Sequence, residues 1–259
     1  MERVAIGMNA MSGTSAGVVT PQNNNRYSVA IGAFAGNNRG STANGPLVGF
    51  RTFIGYKAGA NETNVTSTDD NSGQIAIGTF AMSNHTSHKR GSIAIGEKSY
   101  ADTINASPLI VSDWDIAIGA YSFGTNGAFY PEMTGDGNIA IGYLAGTSSV
   151  DNPAIAGGTI AIGKQALAEG VKNIAIGQAS LAGASNVQNA IAIGAGADAR
   201  FTNSIALGQG ATATDANQFV VGSSANALGT ITTETIAASD TTWTVSINGT
   251  EYKIPMLEI

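Results

Sequence analysis

The sequence predicts an all-β chain, a parallel β solenoid of about twelve 14-residue coils that ends in a C-terminal β-hairpin. Three observations predict it. A short apolar run ending in glycine recurs twelve times, an Ala or Ser stands three residues after each of those glycines, and one alternating segment around Asn248-Gly249 closes the chain. Self-similarity at a short fixed period is the signature of repeat architectures and outweighs local propensity.

The run reads VAIG up to Gly7, then SVAIG, TFIG, QIAIG, SIAIG, DIAIG and NIAIG up to Gly32, Gly55, Gly78, Gly96, Gly119 and Gly142. It continues as TIAIG, NIAIG, AIAIG, SIALG and QFVVG up to Gly163, Gly177, Gly194, Gly208 and Gly222. These glycines number the repeats one to twelve. The shortest spacing, as between Gly163 and Gly177, is 14 residues (177 − 163), and the longest, between Gly7 and Gly32, is 25 (32 − 7). Longer intervals carry insertions, roughly residues 12–26, 37–50, 61–73, 83–91, 102–115, 125–137 and 147–158, which are expected to leave the coil at one corner as stacked lateral loops.

The second fixed site, from Ala10 and Ala35 through Ser99 and Ser122 to Ala211 and Ala225, implies a second strand per coil. Within each run the first and third apolar residues, such as Ile174 and Ile176, share one face and Ala175 takes the other. The β-branched pair is expected to line the coil interior. Alanine fills the middle position in ten of twelve repeats, with Phe53 and Val220 the exceptions, and is expected to form an outer packing strip. A coil this small buries little by itself, so the strip needs a neighbour, and three copies around an axis provide one. The recurrent glycine suits a corner with positive φ. Twelve coils at the inter-strand spacing make a rod on the order of 55 Å long.

Composition agrees. The 259 residues include 34 glycines, and charged residues make up 12%, against roughly 25% in ordinary soluble domains. A formal net charge of −6 excludes nucleic acid as the natural partner, because phosphate binding needs clustered Lys and Arg. There is no cysteine, hence no disulfide and no thiolate metal site. No apolar run reaches the roughly 18 residues that a membrane span needs, and no secretory segment follows Met1-Glu2-Arg3, so a soluble, unprocessed chain without membrane insertion is expected.

With SIALGQGATA at 204–213, NIAIGQASLA at 173–182 and SVAIGAFAG at 28–36, the repeat resembles the YadA-like head of trimeric autotransporter adhesins. The resemblance runs from about Val4 to Ala227 and implies a left-handed parallel β-roll assembled as a homotrimer. The same roll also occurs in bacteriophage fibres. The neck, heptad stalk and membrane barrel expected of a full adhesin do not follow Ala227. The domain boundaries expected are 1–228 for the roll and 229–259 for the cap.

In that last segment Trp243, Val245 and Ile247 alternate before Asn248-Gly249, and Tyr252, Ile254 and Met256 alternate after it. A two-residue turn at Asn-Gly sets Val245 opposite Tyr252 and Trp243 opposite Ile254. The segment resembles the ends of phage structural fibre proteins. The expected function is therefore a trimeric virion fibre, on tail or head, that attaches to a host cell-surface glycan or protein through its loops. An adhesin head on a bacterial cell surface is the alternative. Because Val4 already belongs to the first repeat, the N-terminal end is expected to be covered by other virion proteins or to be preceded by a longer N-terminal portion.

Candidate receptor contacts are the aromatic residues of the insertions, Tyr27, Phe50, Trp114, Phe129 and Tyr130, since such rings stack on sugars and anchor interfaces. His85 and His88 are read as a solvated loop and not as metal ligands, and Asp69-Asp70-Asn71 and 135–138 as turns without calcium-loop spacing. A glycan-degrading tailspike would need two carboxylates across a groove, and Asp113, Asp115, Glu132 and Asp136 are the only loop acids dense enough to consider. No nucleophile and base stand in a recognisable order. The sequence thus assigns no catalytic residue, no cofactor and no metal, and a binding or structural role is expected.

Overall fold

The computed structural model describes residues 3–10, 28–37, 50–60, 73–83, 91–101, 113–124, 132–133, 135–147, 154–155, 157–184, 186–226, 242–247 and 250–255. Each apolar run forms a strand, because β-branched residues favour extended backbone and the glycine ends the run. The twelve strands are Arg3–Ile6, Ser28–Ile31, Arg51–Ile54, Gln74–Ile77, Ile93–Ile95, Ile116–Ile118, Ile139–Ile141, Ile160–Ile162, Ile174–Ile176, Ile191–Ile193, Ile205–Leu207 and Phe219–Val221. They hydrogen-bond in sequence order into one parallel sheet. Ala161 pairs with Ala140 and Ala175, and Ile162 with Ile141 and Ile176, so like residues stack on like. The described residues contain no helix, and a parallel sheet in strict sequence order is the arrangement of a solenoid.

In repeats one to ten the glycine after the strand is a corner that no other residue fits. Gly142 has φ +135°, outside the range of L side chains, and a Cβ built on it would stand 2.6 Å from the carbonyl oxygen of Gly163 and 2.7 Å from its carbon. Gly142 N–H donates to Ile118 O at 2.8 Å, and the same bond recurs from repeat to repeat. Corner backbones therefore stack directly on one another.

The interior is the reverse of the sequence expectation. From Ala30 to Ala206 the mid-strand alanines are fully buried, whereas the isoleucines on either side of them are half-buried or exposed. Alanine lines the core and isoleucine faces out. The reason is volume: side chains repeat every 4.8 Å or so along the stack, and a coil of 14 residues leaves between its walls room for methyl groups but not for branched side chains. Replacing Ala175 by leucine adds three carbons to this packed row. It is expected to lower stability by about 2–3 kcal/mol, read from urea unfolding followed by circular dichroism.

The opposite wall of the core is the Ala or Ser three residues after the corner, buried from Ala35 through Ala211. Serine is accommodated because its hydroxyl donates to the carbonyl of its own corner glycine, as Ser122 does to Gly119 at 3.1 Å and Ser180 to Gly177 at 2.9 Å. In repeats eight to eleven a second strand follows, Leu167–Ala168, Leu181–Ala182, Asp198–Ala199 and Thr212–Ala213, and these four form their own parallel sheet. Earlier repeats instead bend into left-handed backbone four residues after the corner, at Gly36, Gly59, Met82, Tyr100, Phe123 and Gly146. Glycine and bulk are complementary there: a Cβ on Gly59 would strike the ring of Phe53, and one on Gly146 the ring of Phe123. Among the described residues the second strand is thus a property of the short repeats, whereas the long ones carry that bend in its place.

Two insertions touch. Glu132–Met133 pairs in parallel with Ala154–Ile155, and Ile155, fully buried, bridges on to Gly170. Stacking of consecutive insertions, expected from the repeat, is realised at this place.

A polar row runs beside the alanines, four residues before each corner. Asp115, Asn138, Thr159 and Asn173 are buried there and tie repeat to repeat. Asn138 N–H donates to Asp115 Oδ1 at 2.7 Å, Thr159 Oγ1 donates to Asn138 Oδ1 at 2.9 Å, and Ala190 N–H donates to Asn173 Oδ1 at 2.7 Å. The other oxygen of Asp115 accepts the buried Tyr100 hydroxyl. Asp115→Ala strands that hydroxyl and the Asn138 N–H. Each orphaned buried group costs about 1–3 kcal/mol, so a loss of about 3 kcal/mol is expected in the same unfolding measurement.

The segment Ala227–Ile259 is a second compact unit. Its strands Thr242–Ile247 and Thr250–Pro255 form an antiparallel hairpin with Val245 opposite Tyr252 and Trp243 opposite Ile254, the expected register. The Asn248-Gly249 turn itself lies outside the described residues.

Candidate functional site

Because the alanines turn inward, the outer face of the long sheet carries two columns of large aliphatic residues. One column holds the residue just before each corner and the other the residue two places earlier. Of these 24 positions only Thr52 is polar. Ile193 is 40% exposed and Phe219 64% exposed, and the others range from half-buried to exposed. Contiguous apolar surface of this length marks an interaction site, whereas apolar residues scattered singly do not.

The predicted receptor residues divide. Phe50 and Trp114 are exposed, but they occupy equivalent places at the corner that leads into the strand, five residues before Gly55 and Gly119. They belong to the repeat and not to a free loop. Among the described residues the other repeats carry glycine, asparagine or, in repeat nine, Lys172 at this corner, for example Gly137 and Gly158, and these positions, like Trp114 but unlike Phe50, have left-handed backbone. In the last repeats an outer ladder results: Asn189 Nδ2 donates to Asn203 Oδ1 at 3.1 Å and Asn203 Nδ2 to Asn217 Oδ1 at 3.0 Å. Trp114 holds φ +63° and lies 60% exposed with its ring over the Cα of Gly91. Tyr27, Phe129 and Tyr130 lie outside the described residues, as do His85, His88 and Asp69-Asp70-Asn71.

Of the acids considered for glycan cleavage, Asp115 points into the core and Asp136 Oδ1 accepts the backbone N–H of Asp113, one repeat earlier, at 2.8 Å, while the Glu132 side chain lies outside the described residues. Among the described residues no three His, Cys, Asp or Glu side chains gather as metal ligands would, and no helix is long and apolar enough to cross a membrane.

A further surface was missed in the sequence. The turn after each corner stacks in register along the sheet: the N–H two residues after one corner donates to the carbonyl one residue after the corner of the preceding repeat, as from Phe80 to Tyr56 at 2.9 Å and from Tyr121 to Glu97 at 2.9 Å. Rings and ammonium groups meet there. Tyr56 stands edge-on to Phe34 and to Phe80, with centroids 6.1 and 5.4 Å apart, and Lys57 Nζ lies 5.3 Å from the centroids of Tyr56 and Phe80. Lys98 Nζ lies 5.3 Å from the centroid of Tyr121, whose ring meets Tyr143 at 6.3 Å. The signal available in the sequence was the residue type two places after each glycine.

No protein-family model matches the chain, and no curated protein matches it.

Proposed function

We propose that three copies of the chain, each a left-handed β-roll, pack their outward isoleucine columns around a threefold axis and form a bacteriophage virion fibre that attaches to the host cell. The observation that carries the assembly is the apolar face, twelve strands long and interrupted only at Thr52, on a chain of which only 12% is charged. Threefold packing turns that face inward and leaves the insertions and the aromatic turn outside. The recurrence of SVAIG-like repeats supports the roll, and the resemblance of the C-terminal hairpin segment to phage fibre ends supports the virion. Function here is binding and structure, without a catalytic centre.

Gold-labelled antibody against the chain tests this location. Labelling of virions in lysates is expected, together with at least tenfold slower phage adsorption after host cells are pre-incubated with the purified rod. Labelling confined to intact bacterial surfaces would replace the fibre with an adhesin head, and release of oligosaccharide from host polysaccharide would replace binding with cleavage. Trp114→Asn separates contact from fold: asparagine suits the left-handed corner, so an unchanged or higher unfolding midpoint is expected together with weaker cell binding.

A further inference from the structure

Two residues after the corner, repeats two to six carry Phe34, Lys57, Phe80, Lys98 and Tyr121, an alternation of ring and cation with a period of two repeats. Their backbone is left-handed, with φ between 49° and 58°, a conformation that bulky residues rarely adopt. The same position in repeats ten and eleven is Gly196 and Gly210, at φ +64° and +66°, where the turn is unstrained. Large side chains are therefore held at these positions against the preference of the backbone, and strain of this kind collects where a surface is used. Tyr56 and Tyr143, one residue after their corners, are 42% and 47% exposed and flank the row. Three of the six lysines of an otherwise acidic chain, Lys57, Lys98 and Lys164, lie on this turn, with Glu97 the acid among them.

We propose that this turn is a binding track for an anionic polysaccharide with one carboxylate per disaccharide. The period of two repeats is about 9.6 Å, close to the length of two linked sugar rings. Each ring offers an electron-rich face to the weakly positive C–H face of a pyranose, and each ammonium stands where the next carboxylate falls. Repetition along the rod makes binding multivalent, so polymer binds far more tightly than its disaccharide. The inference deepens the attachment reading by naming a ligand class, and it rests on that reading only for the host-facing role.

The test uses the full chain with hyaluronan, in which glucuronate alternates with N-acetylhexosamine, and with dextran and polyglutamate as neutral and charge-only controls. Hyaluronan is expected to bind, with dextran silent and polyglutamate at least tenfold weaker. Phe80→Gly with Tyr121→Gly, and separately Lys57→Gln with Lys98→Gln, should each weaken hyaluronan binding at least tenfold at unchanged solution mass. The glycine pair should also leave the unfolding midpoint unchanged or raised, which a merely structural role for the rings would not permit. Absence of hyaluronan binding, equal binding of polyglutamate, or variants that bind like the parent would each overturn the track. Cell adsorption keeps the two readings apart: variants that lose hyaluronan binding yet adsorb like the parent sink the host-facing role of the track alone, whereas a rod that binds hyaluronan and fails to adsorb to host cells sinks the attachment reading alone.

Discussion

Gly142→Ala is expected to lower stability by at least about 3 kcal/mol, because backbone of this kind is essentially restricted to glycine and the added methyl meets main chain. At φ +135° the Cβ would stand 2.6 Å from Gly163 O, and a carbonyl in a hydrogen-bonded stack cannot move aside as a side chain could. In a repeat array each unit is held only by its neighbours, so the damage should spread to repeats six to eight before the ends are affected. Hydrogen exchange of those strands, together with urea unfolding, measures it. Gly196→Ala is the control. Its φ of +64° is the ordinary left-handed region and nothing lies within 4 Å of its Cβ, so a cost near 1 kcal/mol is expected.

The second large effect concerns assembly. Ile118→Asp with Ile141→Asp and Ile162→Asp places three carboxylates in the middle of the outward column, where those side chains are half-buried within one chain. A single copy should tolerate them, because no core contact among the alanines changes. Three copies should not, since up to nine carboxylates would be buried near one axis, and unpaired buried charge costs several kcal/mol each. The expected result is a folded monomer with the circular dichroism of the parent. Loss of fold, with Ala175→Leu harmless, would return isoleucine to the interior.

Much of the fold was legible in the sequence, and the reason is periodicity. The strands, their one-to-one register, the corner glycines and the pairing of Trp243 with Ile254 follow from patterns that chemistry allows in only one way. Orientation was not legible by the same logic. Ranking Ile above Ala in hydrophobicity placed Ile174 and Ile176 inside, whereas the width of a 14-residue coil selects by volume and admits Ala175. The second strand was expected in every coil and, among the described residues, is found in four repeats, because Tyr100 and Phe123 turn inward where Leu167 and Leu181 continue outward.

The candidate sites were legible only in part, for a related reason. Phe50 and Trp114 were read as loop aromatics because each ends an insertion, but both lie five residues before a corner glycine and so belong to the repeat. The row from Phe34 to Tyr121 was not legible, because residue type varies at that position whereas the Ala or Ser next to it is constant. Insertions have no period, and nothing in their composition sets where their side chains point.

Light scattering on the purified 259-residue chain tests the central claim most directly. Three copies of a 26.1 kDa chain are predicted, at micromolar concentration and without dependence on salt, since the interface is apolar. A stable monomer of 26.1 kDa that keeps its outward isoleucines in water would contradict the account.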